Sequence, residues 1–202
     1  MHEIFNKIFL QNLWGAQETV SGTGSTVAST QTIALALPPL FQKYHISSLL
    51  DAACGDFNWM QYLNLGIDSY IGIDMVPELI ESVQKRYSNT HRQFLLRNIA
   101  TDDLPKADLI LCRDCLVHHT LEDIHTILTN FVKSSSTYVL MTTFPEHTMN
   151  PDIETGYWRP LNFEVAPFNF PRPLALINEN TARDKSLALW CLDTILKCLD
   201  RQ

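Results

Sequence analysis

Basic runs are missing from this sequence: no stretch of Lys or Arg is longer than the pair Lys85-Arg86. The 202 residues carry 15 Lys and Arg against 22 Asp and Glu, a formal charge of −7. A chain-wide footprint for phosphate backbones is therefore absent, and nucleic acid is not an expected partner. Long apolar runs are missing as well. The longest, Ile33 to Phe41, has nine residues and two prolines, whereas a bilayer span needs about 20. No membrane partner is expected. Glu3, Asn6 and Lys7 interrupt the apolar residues at the start, which argues against a cleaved secretion signal.

Cysteine is neither abundant nor evenly paired. Cys54, Cys112, Cys115, Cys191 and Cys198 lie inside apolar stretches. That pattern predicts buried thiols in a reducing compartment, hence a cytoplasmic location. Cys112 and Cys115 have CxxC spacing, but a zinc site needs a second such pair. Cys191 and Cys198 are six residues apart between them, so no metal is expected. Repeats and low-complexity tracts are also lacking.

What is present is an ordinary globular composition, 46% apolar and 18% charged. A chain of this length forms one domain, residues 1–202, and buries about 70% of its unfolded surface. Short apolar runs alternate with helix-type windows. Ser47–Asp51, Ser69–Asp74, Arg92–Arg97, Ala107–Cys112 and Thr137–Thr143 read as buried strands. Asn58–Leu65 reads as a short helix, and Pro77–Tyr87 as a helix with Pro in its first turn. Thr120–Val132 places Leu121, Ile124, Ile127, Leu128 and Phe131 on one face, with Thr120 as the cap. Leu174–Ile177 and Leu187–Leu192 can pair as an edge hairpin, followed by a short helix over Thr194–Leu199. The prediction is a doubly wound α/β fold. Its sheet is mostly parallel and seven-stranded, with an antiparallel edge hairpin and helices on both faces.

The flanks divide the domain. Residues 1–45 hold the cluster Ser21-Gly-Thr-Gly-Ser-Thr26 and a helix over roughly 26–43; they read as a lid and a helix. Residues 46–143 form the core. Residues 144–202 begin with a loop rich in proline and aromatics, including Tyr157, Trp158, Phe163, Phe168 and Phe170. Linkers are not aromatic-rich, so this loop is expected to be ordered and to close over a substrate.

The stretch Leu49-Leu-Asp-Ala-Ala-Cys-Gly-Asp-Phe-Asn-Trp59 carries the chemistry. A buried strand ends at Asp51, and a turn of small residues, Ala53, Cys54 and Gly55, lets a ligand approach the backbone. Ligands of open α/β sheets bind beyond the strand carboxyl ends, where strand order reverses. Asp74 follows Gly55 by nineteen residues, at the end of the second strand. That spacing places a carboxylate against ribose hydroxyls. A dinucleotide would want GxGxxG, but here one glycine is followed by Asp56. A carboxylate there repels a pyrophosphate and suits a cofactor with an amino group and a sulfonium, which favours S-adenosyl-L-methionine over NAD. A reductase would also need a Tyr/Lys pair, and Tyr87 and Lys85 lie on the wrong segment.

Residues 49–143 resemble the class I S-adenosylmethionine-dependent methyltransferases, which have a Rossmann-like fold. Asp51-Ala-Ala-Cys-Gly-Asp56 resembles their first motif, and Gly72-Ile-Asp-Met75 the ribose-binding acid with the apolar residue after it. Asn98 to Pro105 resembles the adenine-bracketing segment, and Asp108 to His119 the fourth-strand motif. The flanks, with Trp14-Gly15 and Trp158-Arg-Pro-Leu-Asn162, look like a less characterised bacterial branch of that family. The resemblance implies that Ala53, Cys54 and Gly55 pass under the methionine part, and that Asp51 or Asp56 receives its amino group. It implies ribose at Asp74 and adenine against Met75, Asn98 and Ile99. Arg113 and Asp114 would sit beside the methionine tail and the methyl acceptor.

Methyl transfer is an in-line displacement, accelerated by alignment. A base is needed only where the nucleophile must lose a proton. Asp114, His118, His119 and His147 are the candidates, with His118 preferred over His119 because it is nearer the strand end. The plainer reading packs both histidines against the following helix and leaves His147 in an exposed loop. The expected acceptor is an O or N nucleophile of a small molecule or sugar-containing metabolite. The strand-four end has Arg113-Asp-Cys-Leu116, not the Asn/Asp-Pro-Pro-aromatic signature of nucleic-acid amino methylases. The alternatives are a catalytically silent cofactor-binding module acting through a partner, or a protein methyltransferase.

Overall fold

The structure is a computed structural model and describes residues 1–179, 181 and 184–199. Seven strands form one sheet: β1 (Ser48–Ala52), β2 (Ser69–Asp74), β3 (Arg92–Leu96), β4 (Leu109–Cys112), β5 (Tyr138–Thr143), β6 (Ala175–Asn178) and β7 (Ser186–Cys191). Their order is β3-β2-β1-β4-β5-β7-β6. The first five are parallel, and β7 runs antiparallel between β5 and β6. The predicted doubly wound sheet with its edge hairpin is what forms.

Burial follows the period of two along each strand. Leu50, Ile110, Cys112, Val139, Met141 and Trp190 face one layer, against α4 (Leu121–Lys133) and α5 (Leu192–Leu199). Leu49, Leu109, Leu111, Leu140, Leu187 and Leu189 face the other, against α2 (Val27–Tyr44) and α3 (Pro77–Tyr87). Strands covered on both faces must be apolar throughout, which explains their near-continuous apolar runs. The caps follow from sequence too. The Thr120 hydroxyl accepts from the Asp123 N–H at 3.0 Å, and Thr26 does the same for Ser29 at 3.2 Å.

Two elements differ from expectation. Asn58–Leu65 is not a helix; only a single 3₁₀ turn, Met60–Tyr62, forms there. Within that turn Met60 alone is buried, so no apolar stripe supports so short a helix. The Asn58 side chain is bonded to Glu18 and to the Ser25 carbonyl instead. The second difference is an added helix, α1 (His2–Leu10). The residues that argued against a signal core, Glu3, Asn6 and Lys7, are its polar side. Among the described residues no helix is long and apolar enough to cross a membrane.

Candidate active site

A cleft of about 1080 Å³, partly open to solvent, lies at the carboxyl ends of the parallel strands. Its floor is the turn after β1, with Asp51, Ala53, Cys54, Gly55 and Asp56. One wall comes from the end of β2 and the segment after β3, with Asp74, Met75 and Ile99; the other follows β4, with Arg113, Asp114 and His118. β1 lies between β2 and β4, so this is where strand order reverses. The N-terminal segment roofs the cleft with Phe5, Trp14 and Ser21.

Asp51 and Asp74 are both buried carboxylates facing the cleft. Asp74 accepts from the Gly55 N–H at 3.2 Å and the Val76 N–H at 3.1 Å, which fixes its plane at the end of β2. Burial raises its pKa against these donors. Asp51 accepts from the Tyr70 hydroxyl at 2.7 Å. Burial pushes its pKa up to about 7, outweighing that hydrogen bond. A buried carboxylate that resists ionisation is stabilised by an arriving cation. The Cys54 thiol is driven up by burial and by the nearby carboxylates, so it stays neutral and is a small wall residue.

Asp56 lines the cleft, but its carboxylate is engaged by the roof. It accepts from Thr19 Oγ1 at 2.9 Å, the Val20 N–H at 3.0 Å and Ser21 Oγ at 3.1 Å. Gly55 is at φ 56°, and a Cβ there would lie 2.2 Å from Ser21 Oγ. Glycine is therefore needed both for backbone shape and for close approach of the roof. Gly55→Ala is expected to cost about 1–3 kcal/mol and to lift residues 19–21. Denaturation together with faster proteolysis of the N-terminal segment would check this.

After β4 the chain enters a charge cluster that the sequence did not reveal. Arg113 Nη2 and Nε donate to Glu179 Oε2 and Oε1 at 2.6 and 3.3 Å. Arg113 Nη1 lies 3.4 Å from Asp114 Oδ2, and Lys185 Nζ bridges Asp114 and Glu179. The Arg113 and Glu179 side chains are 5% and 1% exposed. Burial pushes the Asp114 pKa up, but Arg113 and Lys185 outweigh it and hold the carboxyl below its ordinary value. Asp114 is thus held ionised between Arg113 and Lys185, which makes it a weaker proton acceptor than a free carboxylate. Glu179 follows β6 and Lys185 precedes β7, within a polar stretch of sequence where nothing singled them out.

Both strand-four histidines line the cleft. His118 Nδ1 is 2.9 Å from the Tyr157 carbonyl, and His119 Nδ1 is 3.0 Å from the Cys115 carbonyl. A carbonyl only accepts, which assigns the proton to Nδ1 and the lone pair to Nε2 in each. Burial lowers the His118 pKa below its ordinary value and takes His119 down to about 4. Of the histidines singled out from the sequence, His147 stands apart. Its ring packs edge-on against Phe144 at 5.8 Å, and it does not line the cleft. Asn98 is not brought in either: its Oδ1 accepts from the Ala100 N–H in a local turn, while Ile99 reaches the cleft.

The proline- and aromatic-rich loop is placed differently from expectation. No described residue of 144–202 lines the cleft. Phe163, Phe168, Phe170 and Trp190 instead pack together in the core. The loop buttresses the strand-four turn: Gly156 N donates to the His118 carbonyl at 2.8 Å and Arg159 N to the Val117 carbonyl at 3.1 Å. The roof comes from the other end of the chain. Among the described residues no cluster of three or more His, Cys, Asp or Glu is arranged to hold a metal.

Comparison with known proteins agrees with this geometry. Residues 49–135 match the family model of a methyltransferase domain. No curated protein sequence is significantly similar to the chain. A Leishmania major SAM-dependent methyltransferase is similar in structure, with TM-score 0.67 and 16% identity over 93% of this chain and 82% of the other. Magnesium protoporphyrin IX methyltransferase from Synechocystis PCC 6803, with bound SAM, gives 0.61 and 12% over 94% and 96%. The N-methyltransferase NodS from Bradyrhizobium japonicum WM9, in complex with S-adenosyl-L-homocysteine, gives 0.61 and 13% over 91% and 97%. The donor set of the cleft also suits this cofactor: two buried carboxylates, no counter-cation beside Asp51 among the described residues except the already paired Arg113, and one close-approach glycine. Residues 49–135 thus match a methyltransferase domain, and the fold is the one shared by these S-adenosylmethionine-dependent methyltransferases.

Proposed function

We propose that the protein methylates an O or N nucleophile of a small molecule, with His118 as the general base. The observation that carries this reading is a single cleft holding buried Asp51 and Asp74 at one end and a neutral imidazole with a free Nε2 at the other. Asp74 would take the ribose hydroxyls, Met75 and Ile99 the adenine, and Asp51 the amino group. Ala53, Cys54 and Gly55 would pass under the methionine part. Arg113 and Asp114 shape the junction between the two halves. When bound, the cofactor supplies a methyl carbon on a positively charged sulfur. His118 Nε2 accepts the proton of the nucleophile, and the Tyr157 carbonyl, bonded to Nδ1, stabilises the imidazolium that results. The roof over the cleft restricts its opening to solvent. The solved neighbours include enzymes acting on a porphyrin and on N-acetylserotonin, which supports a small acceptor.

Incubation of the purified protein with methyl-labelled cofactor and a metabolite extract tests the reading. Label in the small-molecule fraction is expected. Label on protein alone would make the chain a protein methyltransferase, and cofactor binding without transfer would make it a binding module. The Asp51 assignment adds a pH signature. An ionised Asp51 is needed to face a cation, so cofactor affinity is expected to fall about tenfold for each pH unit below ~7. The same raised pKa works against the cofactor-free fold. Its stability contribution is present below the ordinary carboxylate range and is lost as pH rises through about 7. Asp51→Asn should flatten both profiles, as read by calorimetry and thermal denaturation across neutral pH.

A further inference from the structure

The acceptor half of the cleft has a chemistry of its own. Four rings touch in series there: Trp14 stacks on His118 at 4.7 Å and 28°, Phe5 meets Trp14 edge-on at 6.2 Å, and Phe5 lies tilted on His119 at 5.2 Å. Ile8 and Phe9 of α1 continue the apolar wall. Both imidazoles are neutral, since burial depresses their pKa values. The charged groups cancel internally: Arg113 and Lys185 are matched by Glu179 and Asp114. The remaining charged side chains of the cleft, Asp51, Asp56, Asp74 and Arg97, sit around the floor and the cofactor wall.

An acceptor carrying a charge would shed water on entering this chamber and meet no free counter-charge, a large penalty. Breaking into the quartet would expose a buried charge in turn. A flat apolar ring loses little water and gains contact with the aromatic wall. We propose that the acceptor is a neutral aromatic molecule bearing a weakly acidic hydroxyl, and that the chamber discriminates against phosphorylated, carboxylated and alkylammonium compounds. This narrows the small-molecule class and rests on the methyl-transfer reading above. It also disfavours the sugar-containing metabolites that the sequence left open, because their many hydroxyls would outnumber the polar partners on this wall.

Calorimetric titration of the protein saturated with S-adenosyl-L-homocysteine tests the proposal, using three matched probes: naphthol, hydroxynaphthoate and naphthylmethylamine. Naphthol is expected to bind saturably, and both charged relatives at least ~30-fold more weakly. Trp14→Ala should weaken naphthol by about tenfold, with recovery in Trp14→Phe and S-adenosyl-L-homocysteine affinity within about twofold of the parent. A charged probe that binds as tightly as naphthol overturns the proposal. So does absence of naphthol binding to protein that still binds S-adenosyl-L-homocysteine, and in that case the methyl-transfer reading stands. Failure of S-adenosyl-L-homocysteine itself to bind overturns both.

Discussion

Replacing Glu179 by alanine is expected to destabilise the fold by about 3–5 kcal/mol. For a domain of this size that corresponds to a fall in Tm of roughly 6–20 °C. The reason is the desolvation of its partner. Arg113 enters from the end of β4 with its side chain 5% exposed, and Glu179 supplies two of its hydrogen bonds at 2.6 and 3.3 Å. Without Glu179 the guanidinium keeps, among the described residues, the longer contact to Asp114, which Lys185 also claims, and its place over the Trp59 ring. The ion pair itself need not stabilise: burying two charges costs nearly what their attraction returns. Arg113→Met combined with Glu179→Leu should therefore recover most of the loss. Urea denaturation of the single and double variants would read this, and a loss below about 1 kcal/mol for Glu179→Ala would mean that water reaches Arg113.

The second large effect is catalytic. His118→Gln is expected to lower kcat by about 10²–10⁴-fold with any acceptor found by label transfer, while cofactor affinity stays within about twofold. The pH profile separates this role from packing against Trp14. In the parent enzyme activity should be lost as pH falls through the depressed His118 pKa, because protonation fills the Nε2 lone pair. In the variant that acidic limb should vanish. A variant that keeps its rate within about tenfold and retains the same limb would make His118 a stacking partner of Trp14 and nothing more.

The parallel core was legible because its energetics are local. Strands buried on both faces must be apolar, and Thr120 and the Pro77 first turn announce their helices. Asp51, Gly55 and Asp74 were legible because close approach and strand-end carboxylates leave a spacing that chance rarely makes. Long-range partners were not. Nothing near Glu179 or Lys185 in sequence points to Arg113, 66 positions before Glu179. Asp56 looked like a cofactor residue because its position is right. Its lone pairs are used by Thr19, Val20 and Ser21. The helix that carries Phe5, Ile8 and Phe9 was not anticipated, and its apolar stripe covers a cleft, not the sheet. The aromatics after residue 144 suggested a lid; Phe163, Phe168 and Phe170 pack in the core instead, while Tyr157 and Trp158 are exposed away from the cleft.

The central claim is that Asp74 and its neighbours hold S-adenosyl-L-methionine. Calorimetric titration of the parent protein and of Asp74→Ala with S-adenosyl-L-methionine, S-adenosyl-L-homocysteine and NAD tests it most directly. The account predicts saturable binding of the first two by the parent protein, a loss of about 1–3 kcal/mol in Asp74→Ala from the unpaired hydroxyls, and no saturable binding of NAD. Saturable binding of NAD alone, or an affinity unchanged by Asp74→Ala, would contradict it.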